Sequence, residues 1–435
     1  MKTRLMKKEE LELKTKLMAW TLICSFFLLM LPGQADASSE KVTLKVLDYS
    51  QESFNKSFGD AFMAKYPNIE IKVIPTLNEK KTAVLRGDEL RKLEDKEKPD
   101  LLLPDQDSLE KYVAEGRLVD LGPYIAQSKS IKLANLNQNI VNFMKVKGKL
   151  YTLSPTFMTK GLFYNKTLFD KYKIKYPKNK MSWAEVMELA AEFKKKAGSD
   201  KVEGFDYDHH LFSLADTISR SYNLTYRDVS KGGKNITINT KEWKPIFDMV
   251  LKAAKKNAIT TNKDAFLKGN TAMTVSDSYL LHSLKPQNIK FEWGVVSEPV
   301  NPARPISSAY GANHMFGISA ESKHADAAWK FIEFVNSDDF AKGYLKDGEF
   351  MSGVPTNECC KKWNNKVDLS GLYQLAPIKK MYDPNQADIW QVYLKEGDAA
   401  FKSALNGTQS LDSMLAGLHT KLQSELDKAW AKKGK

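Results

Sequence analysis

The stretch from Val42 to Val73 constrains this chain more than any other. Val42 to Leu47 is apolar and rich in β-branched residues, which predicts a strand. Phe54, Phe58, Ala61, Phe62 and Tyr66 then fall on one helical face, and Pro67-Asn68 ends that helix. Ile69, Ile71 and Val73 alternate with Glu70 and Lys72, so a second strand follows at once. Parallel strands joined by a helix cross over right-handedly and bind ligands beyond their carboxyl ends. The loop Asp48-Tyr49-Ser50-Gln51 therefore lies where a site would be built. The pattern recurs with a polar helix over Glu89 to Asp95, Pro99-Asp100, the apolar run Leu101 to Leu103, and the loop Pro104-Asp105-Gln106-Asp107. Leu109, Tyr112 and Val113 start the next helix, which Gly116 closes.

At 435 residues the chain is too long for one hydrophobic core, because cores stop growing near ~250–300 residues. Two lobes are expected. The second begins after Ser154-Pro155, with a strand at Gly161 to Asn165 and a helix that Ser182 and Glu185 open as a capping box. Helices are predicted over Trp243 to Ala254, Lys263 to Leu267 and Ala325 to Val335, and strands over Thr271 to Val275, Phe291 to Val296 and Gly311 to Ile318. The tail from Tyr373 reads as helical, with Leu411, Leu415, Leu418 and Leu422 at helical spacing.

Leu17 to Leu31 is uncharged and about 15 residues long, short of the ~20 that span a bilayer, and Ala35-Asp36-Ala37 follows as a cleavage-type triplet. Residues 1–37 are expected to be a signal peptide, the alternative being an uncleaved N-terminal anchor. Cys24 is not expected to carry lipid, since Ile23 stands where a small residue is required. The chain carries a formal charge of +13, with lysines scattered singly and not gathered into an aromatic-interleaved patch. That distribution argues against nucleic acid and fits an anionic cell surface or acidic solutes. Beyond residue 37 only Cys359 and Cys360 remain, so a disulfide framework is excluded and two buried thiols are expected, with a redox pair or inter-chain link as the alternative.

In order along the chain stand Pro99-Asp100, Gly116-Arg117-Leu118, Gly148-Lys149-Leu150-Tyr151, Phe163-Tyr164-Asn165-Lys166 and Trp183. Phe266-Leu267-Lys268-Gly269, Ala272-Met273, Ser322-Lys323 and Ala328-Trp329-Lys330-Phe331-Ile332 follow. This succession resembles the family 1 extracellular solute-binding proteins, which include the maltose-binding proteins. The resemblance implies an α/β, two-lobe periplasmic-binding-protein-like fold (type II), with mixed sheets flanked by helices and a ligand cleft between the lobes. It places lobe one at 38–156 and 298–345 and lobe two at 157–297 and 346–435. It further implies an exported, monomeric, cofactor-free component of an ABC importer that closes on a carbohydrate and presents it to a membrane permease.

Sugars are held by aromatic faces and by polar groups that pair their hydroxyls, because an unpaired buried hydroxyl costs about 1–3 kcal/mol. Tyr49 and Gln51 are candidates after the first strand, with an ordinary helix start as the alternative. Asp105 and Asp107 stand where the resemblance puts ligand contacts, although Asp107 is better placed to cap the next helix. The segment Asp206-Tyr207-Asp208-His209-His210 matches a contact loop of the family and is the leading candidate; adjacent histidines lack the spacing of a compact zinc motif, so no metal is expected. Tyr279 stands where many relatives place a stacking tryptophan. Tyr310 and Trp390, with Tyr393, are further candidates for which core packing is at least as good a reading. Thr156-Phe157-Met158-Thr159 lacks the acid of maltose-type relatives, which argues against maltose, and the positive charge leaves room for an acidic sugar.

An enzyme is not expected. Ser53-Phe54-Asn55-Lys56, Ser276-Asp277-Ser278 and Lys346-Asp347-Gly348 follow the order of penicillin-binding motifs, but the second lacks its asparagine and the third its small hydroxyl residue. The stronger rival is a solute-binding fold that acts as a sensor partner or surface adhesin.

Overall fold

A computed structural model describes residues 41–77, 84–207, 210–228, 232–262, 264–285, 288–308, 311–348, 353–363, 366–378 and 389–433. The expected signal peptide lies outside them. The chain folds into two α/β lobes joined by a small sheet.

In the first lobe, Val42–Asp48 pairs in parallel with Ile69–Pro75 and with Leu101–Leu102, and Gly317–Ile318 adds an antiparallel edge beside Leu102. The first strand buries Leu44, Val46 and Leu47, and the helical stripe expected from Phe54, Phe58 and Phe62 packs against Phe316 and Phe331. Each such phenylalanine, removed from water, contributes about 1.5–3 kcal/mol. The helix is wound α over Gln51–Phe54 and Asp60–Lys65 but π over Asn55–Gly59. The Pro99-Asp100 motif has a structural reason: buried Asp100 accepts from Lys45 N at 2.9 Å and from Ser322 Oγ at 2.6 Å. One carboxylate thus locks the first strand to the segment returning from the other lobe.

The second lobe has a five-stranded sheet in the order Trp293–Ser297, Lys160–Asn165, Thr271–Asp277, Glu203–Asp206, Ile259–Thr260. Lys160–Asn165 runs antiparallel to both neighbours. One face packs against the helices Trp183–Ala197, Leu211–Ser221 and Lys244–Lys255, with Trp183, Phe193, Phe205 and Phe247 in a second core. The other face, through Phe163 and Trp293, joins the packing that continues into lobe one. The capping box of Ser182 and Glu185 forms as expected.

Between the lobes lies a three-stranded sheet in which Thr156–Met158 pairs antiparallel with both Gly311–Asn313 and Val354–Pro355. The chain therefore crosses between lobes three times. Thr356 Oγ1 donates to Ser154 O at 2.7 Å, and Asn137 N donates to Thr356 O at 2.8 Å, tying the crossings together.

Four expectations are corrected. The strand expected from Gly311 to Ile318 is two strands, broken at His314, whose φ of 53° turns the chain from the crossing sheet into lobe one. Asp264 to Gly269 is a hydrogen-bonded turn and not a helix, because Gly269 at φ 78° closes it after one turn. The tail is not helical directly after Tyr373; among the described residues its helices are Trp390–Leu405 and Leu411–Lys433. Only Cys360 of the two thiols is buried, since the short helical turn Glu358–Cys360 points Cys359 outward.

Candidate functional site

The strand directions define the site. The chain enters lobe one from the crossing sheet at Gly317, beside Leu102, so the carboxyl ends of lobe one's parallel strands, at Asp48, Pro75 and Leu102, face the crossing. It enters lobe two at Lys160, which pairs with Asp277, so the carboxyl ends of Thr271–Asp277, Glu203–Asp206 and Trp293–Ser297 face the crossing from the other side. The two sets of strand-end loops confront one another across a cleft floored by the crossing strands.

On the lobe-one rim, Tyr49 is 53% exposed. Its neighbour Asp48 is drawn into structure: its carbonyl accepts from Thr76 N at 2.9 Å, and its Oδ2 lies 3.8 Å from His314 Nε2. His314 packs against Phe58 and Phe316 with ring centroids 5.2 and 6.0 Å away. Burial raises the Asp48 pKa and lowers that of His314. Gln51 places its amide on the outer strand, accepting from Val73 N at 2.9 Å and donating to Ile71 O at 3.2 Å. Asp105 accepts from Ser108 N at 2.9 Å and from Ser108 Oγ at 2.6 Å, which closes the turn into helix Leu109–Ala114, whose N-cap is Ser108 and not Asp107. Asp107 is exposed on the same loop.

On the lobe-two rim, Tyr279 is 40% exposed, its amide held by Asp277 Oδ1 at 3.0 Å. Asp206 and Tyr207 are buried. Asp206 Oδ2 accepts from Phe266 N at 3.1 Å and fixes the turn after residue 263, while Tyr207 Oη contacts Thr217 Oγ1 at 2.8 Å beneath helix Leu211–Ser221. Asp208 and His209 lie outside the described residues, as does Tyr310. Trp390 is half-buried and joins a ring cluster in which Tyr226 and Tyr393 stack 4.2 Å apart, Trp390 lying 6.0 and 5.4 Å from them. Tyr393 is fully buried and donates to Asp216 Oδ1 at 2.9 Å.

The structure thus brings Tyr49, Asp105 and Asp107 to one rim and Tyr279 to the other. Three titratable groups of the strand-end edges escaped sequence reasoning: His314, Lys160 and Glu298. The available signal was a lysine opening an otherwise apolar strand, Lys160-Gly161-Leu162-Phe163-Tyr164. A separate apolar groove, lined by Met187, Ile246 and Met249, opens between the helices Trp183–Ala197 and Lys244–Lys255 and not at the strand ends.

Residues 48–342 match the family described as bacterial extracellular solute-binding protein. A binding protein of Brucella abortus is 22% identical over 276 residues, covering 59% of this chain and 66% of that one. The multiple sugar-binding protein of Streptococcus mutans is 27% identical over 221 residues, 47% of this chain and 51% of its own. The chain therefore spans less than two thirds of the length of either relative. Among solved structures, the sugar-binding protein MalE of Xanthomonas citri superposes with a TM-score of 0.60 at 18% identity, covering 91% of this chain and 99% of that one, which is a likeness of fold.

Proposed function

Because the chain belongs to the bacterial extracellular solute-binding proteins, we propose that it captures a carbohydrate between its lobes and delivers it to the membrane permease of an ABC importer. The observation that carries this reading is the placement of Tyr49 and Tyr279. Among the described residues they are two of four large hydrophobic side chains left exposed, and each stands at a strand end on an opposite rim. A sugar ring has apolar faces and a hydroxyl edge, so two aromatic plates with carboxylates at Asp105 and Asp107 match both surfaces. The sugar-binding descriptions of the Streptococcus mutans and Xanthomonas citri proteins favour the same class.

The chain binds and releases; it performs no bond chemistry in this reading. Ligand touching both rims favours the closed arrangement by its differential affinity, and the permease reads that arrangement. Lobe one comprises 38–156 and 298–345, and lobe two 157–297 and 346–435. The protein acts outside the cell as a monomer after export.

The test is thermal unfolding across panels of saccharides, amino acids and metal ions. A ligand that binds only the folded chain stabilises it by RT ln(1 + [L]/Kd), about 2.7 kcal/mol at a hundredfold excess over Kd. One class of saccharide raises the midpoint; a response to amino acids with none to any saccharide overturns the assignment.

A further inference from the structure

The end of lobe two that points away from the cleft is rich in exposed lysines. Strand directions define that end, which holds the carboxyl end of Lys160–Asn165 and the amino ends of Glu203–Asp206, Thr271–Asp277 and Trp293–Ser297. Residues 171–175 follow the strand Lys160–Asn165 and its short helix there and carry three lysines and no acid. Residues 194–201, where helix Trp183–Ala197 ends, carry four lysines and one acid. The fold brings the two runs together, since Lys196 Nζ donates to Lys173 O at 3.4 Å and Lys171 pairs with Asp200 at 2.9 Å. Helix Lys244–Lys255 leads into the strand Ile259–Thr260, parallel to Glu203–Asp206, and so ends on the same side with Lys255 and Lys256 exposed.

The acids of this pole do not balance it. Asp200 pairs with Lys171, Glu203 with Lys194 at 3.2 Å and Glu192 with Lys196 at 3.0 Å. Lys173, Lys175, Lys195 and Lys201 remain exposed, and among the described residues none of the four makes an ion pair. The corresponding end of lobe one is built the other way, with Lys98 paired to Glu321 at 2.6 Å and Arg117 to Asp95 at 2.8 Å. Like charges gathered on one face create a positive field that an anionic surface answers.

Two features name that surface. Residues 166–203 contain no arginine. Lysine is a compact point charge suited to a diffuse anionic field, whereas recognition of nucleic acid favours the guanidinium fork of arginine. Beside the lysines Tyr176 is 40% exposed, its hydroxyl donating to Asp170 at 2.7 Å, and a tyrosine ring with one wet edge suits the headgroup level of a bilayer.

We propose that this pole of lobe two docks on an anionic lipid bilayer, which holds the protein at the membrane with its cleft turned away from the lipid and open to solution. The attraction is screened over about 8 Å at physiological salt, so the hold is reversible and leaves the chain free to turn its cleft to a permease. The inference goes beyond the uptake reading and requires no particular solute.

Sedimentation of the purified chain with vesicles of phosphatidylglycerol and phosphatidylcholine, against vesicles of phosphatidylcholine alone, tests it. The wild type binds the anionic vesicles at low salt, leaves them at high salt and ignores the neutral ones. A variant carrying Lys173→Gln, Lys175→Gln, Lys195→Gln and Lys201→Gln binds about 100-fold or more weakly, at roughly fivefold per lysine. A control of equal net charge, with Lys56→Gln, Lys92→Gln, Lys129→Gln and Lys132→Gln on exposed positions of lobe one, loses less than about tenfold. Both variants melt with the wild type, because the lysines replaced are exposed and make no ion pair among the described residues. On the vesicles hydrogen exchange slows at residues 171–176 and 194–201 and not at the rim loops of Tyr49 and Tyr279. No binding to anionic vesicles at low salt, equal losses in the two variants, or protection at the rim loops would overturn the inference. Tighter binding to soluble polyphosphate or duplex DNA than to the vesicles would reassign the surface to a polymer and overturn the bilayer. None of these outcomes touches the saccharide panel, so the uptake reading stands or fails separately.

Discussion

His314 Nε2 lies 3.8 Å from Asp48 Oδ2, which couples the segment leaving the crossing sheet to the end of lobe one's first strand. Burial holds the imidazole below its ordinary value of 6.5, so the unfolded chain binds a proton near that pH which the folded chain resists. Stability therefore falls as the pH drops below about 6.5. The raised carboxyl of Asp48 works in the opposite sense, the folded chain taking its proton above the ordinary 3.8, and so offsets part of the loss at lower pH. His314→Gln is expected to flatten the loss of stability between about pH 7 and 5, read by urea unfolding at stepped pH. An unchanged slope would contradict the burial of the imidazole.

Tyr49 and Tyr279 are exposed, so truncating either leaves the fold alone. Tyr49→Ala and Tyr279→Ala are each expected to weaken saccharide binding by roughly tenfold or more, from lost ring contact and buried area, with melting temperatures unchanged in the absence of sugar. Full affinity in either variant would remove that ring from the site.

Glu298 is the converse case, a buried carboxylate with three donors at the start of a crossing segment. Glu298→Ala strands the Ser307 and Ser308 groups and is expected to cost about 2–5 kcal/mol. The denaturation midpoint measures it; a loss below 1 kcal/mol would mean that water replaces the carboxylate.

Cys359 and Cys360 have sulfurs 3.6 Å apart, yet only the first reaches solvent. The hydrogen bond from Cys360 lowers the Cys359 pKa, while the same contact and burial push Cys360 up. A thiol reagent is expected to modify one cysteine quickly and the second only on unfolding, with Cys359 identified by peptide mass. Equal rates would contradict this burial.

Much of the architecture was legible because its signals are local. The alternation of Ile69 to Val73, the aromatic stripe of Phe54, Phe58 and Phe62, and the box of Ser182 and Glu185 each act within a few residues, and each forms. The strand through His314 was misread because Gly311 to Ile318 is continuously compatible with a strand, and only the geometry of the crossing, which is not local, breaks it. The site was half legible for the same reason. Strand-end logic pointed to Tyr49 and the family resemblance to Tyr279, but whether a polar residue faces the cleft or serves the scaffold depends on partners far along the chain. Gln51 is bound to Val73, and Asp206 to Phe266.

Small-angle scattering with and without saturating saccharide tests the central claim most directly. Closure of the lobes over the guest predicts a smaller radius of gyration and a shorter maximum dimension with the sugar that stabilises the chain, and neither change with one that does not. A profile identical in both states, with calorimetry showing the sugar bound, would contradict it.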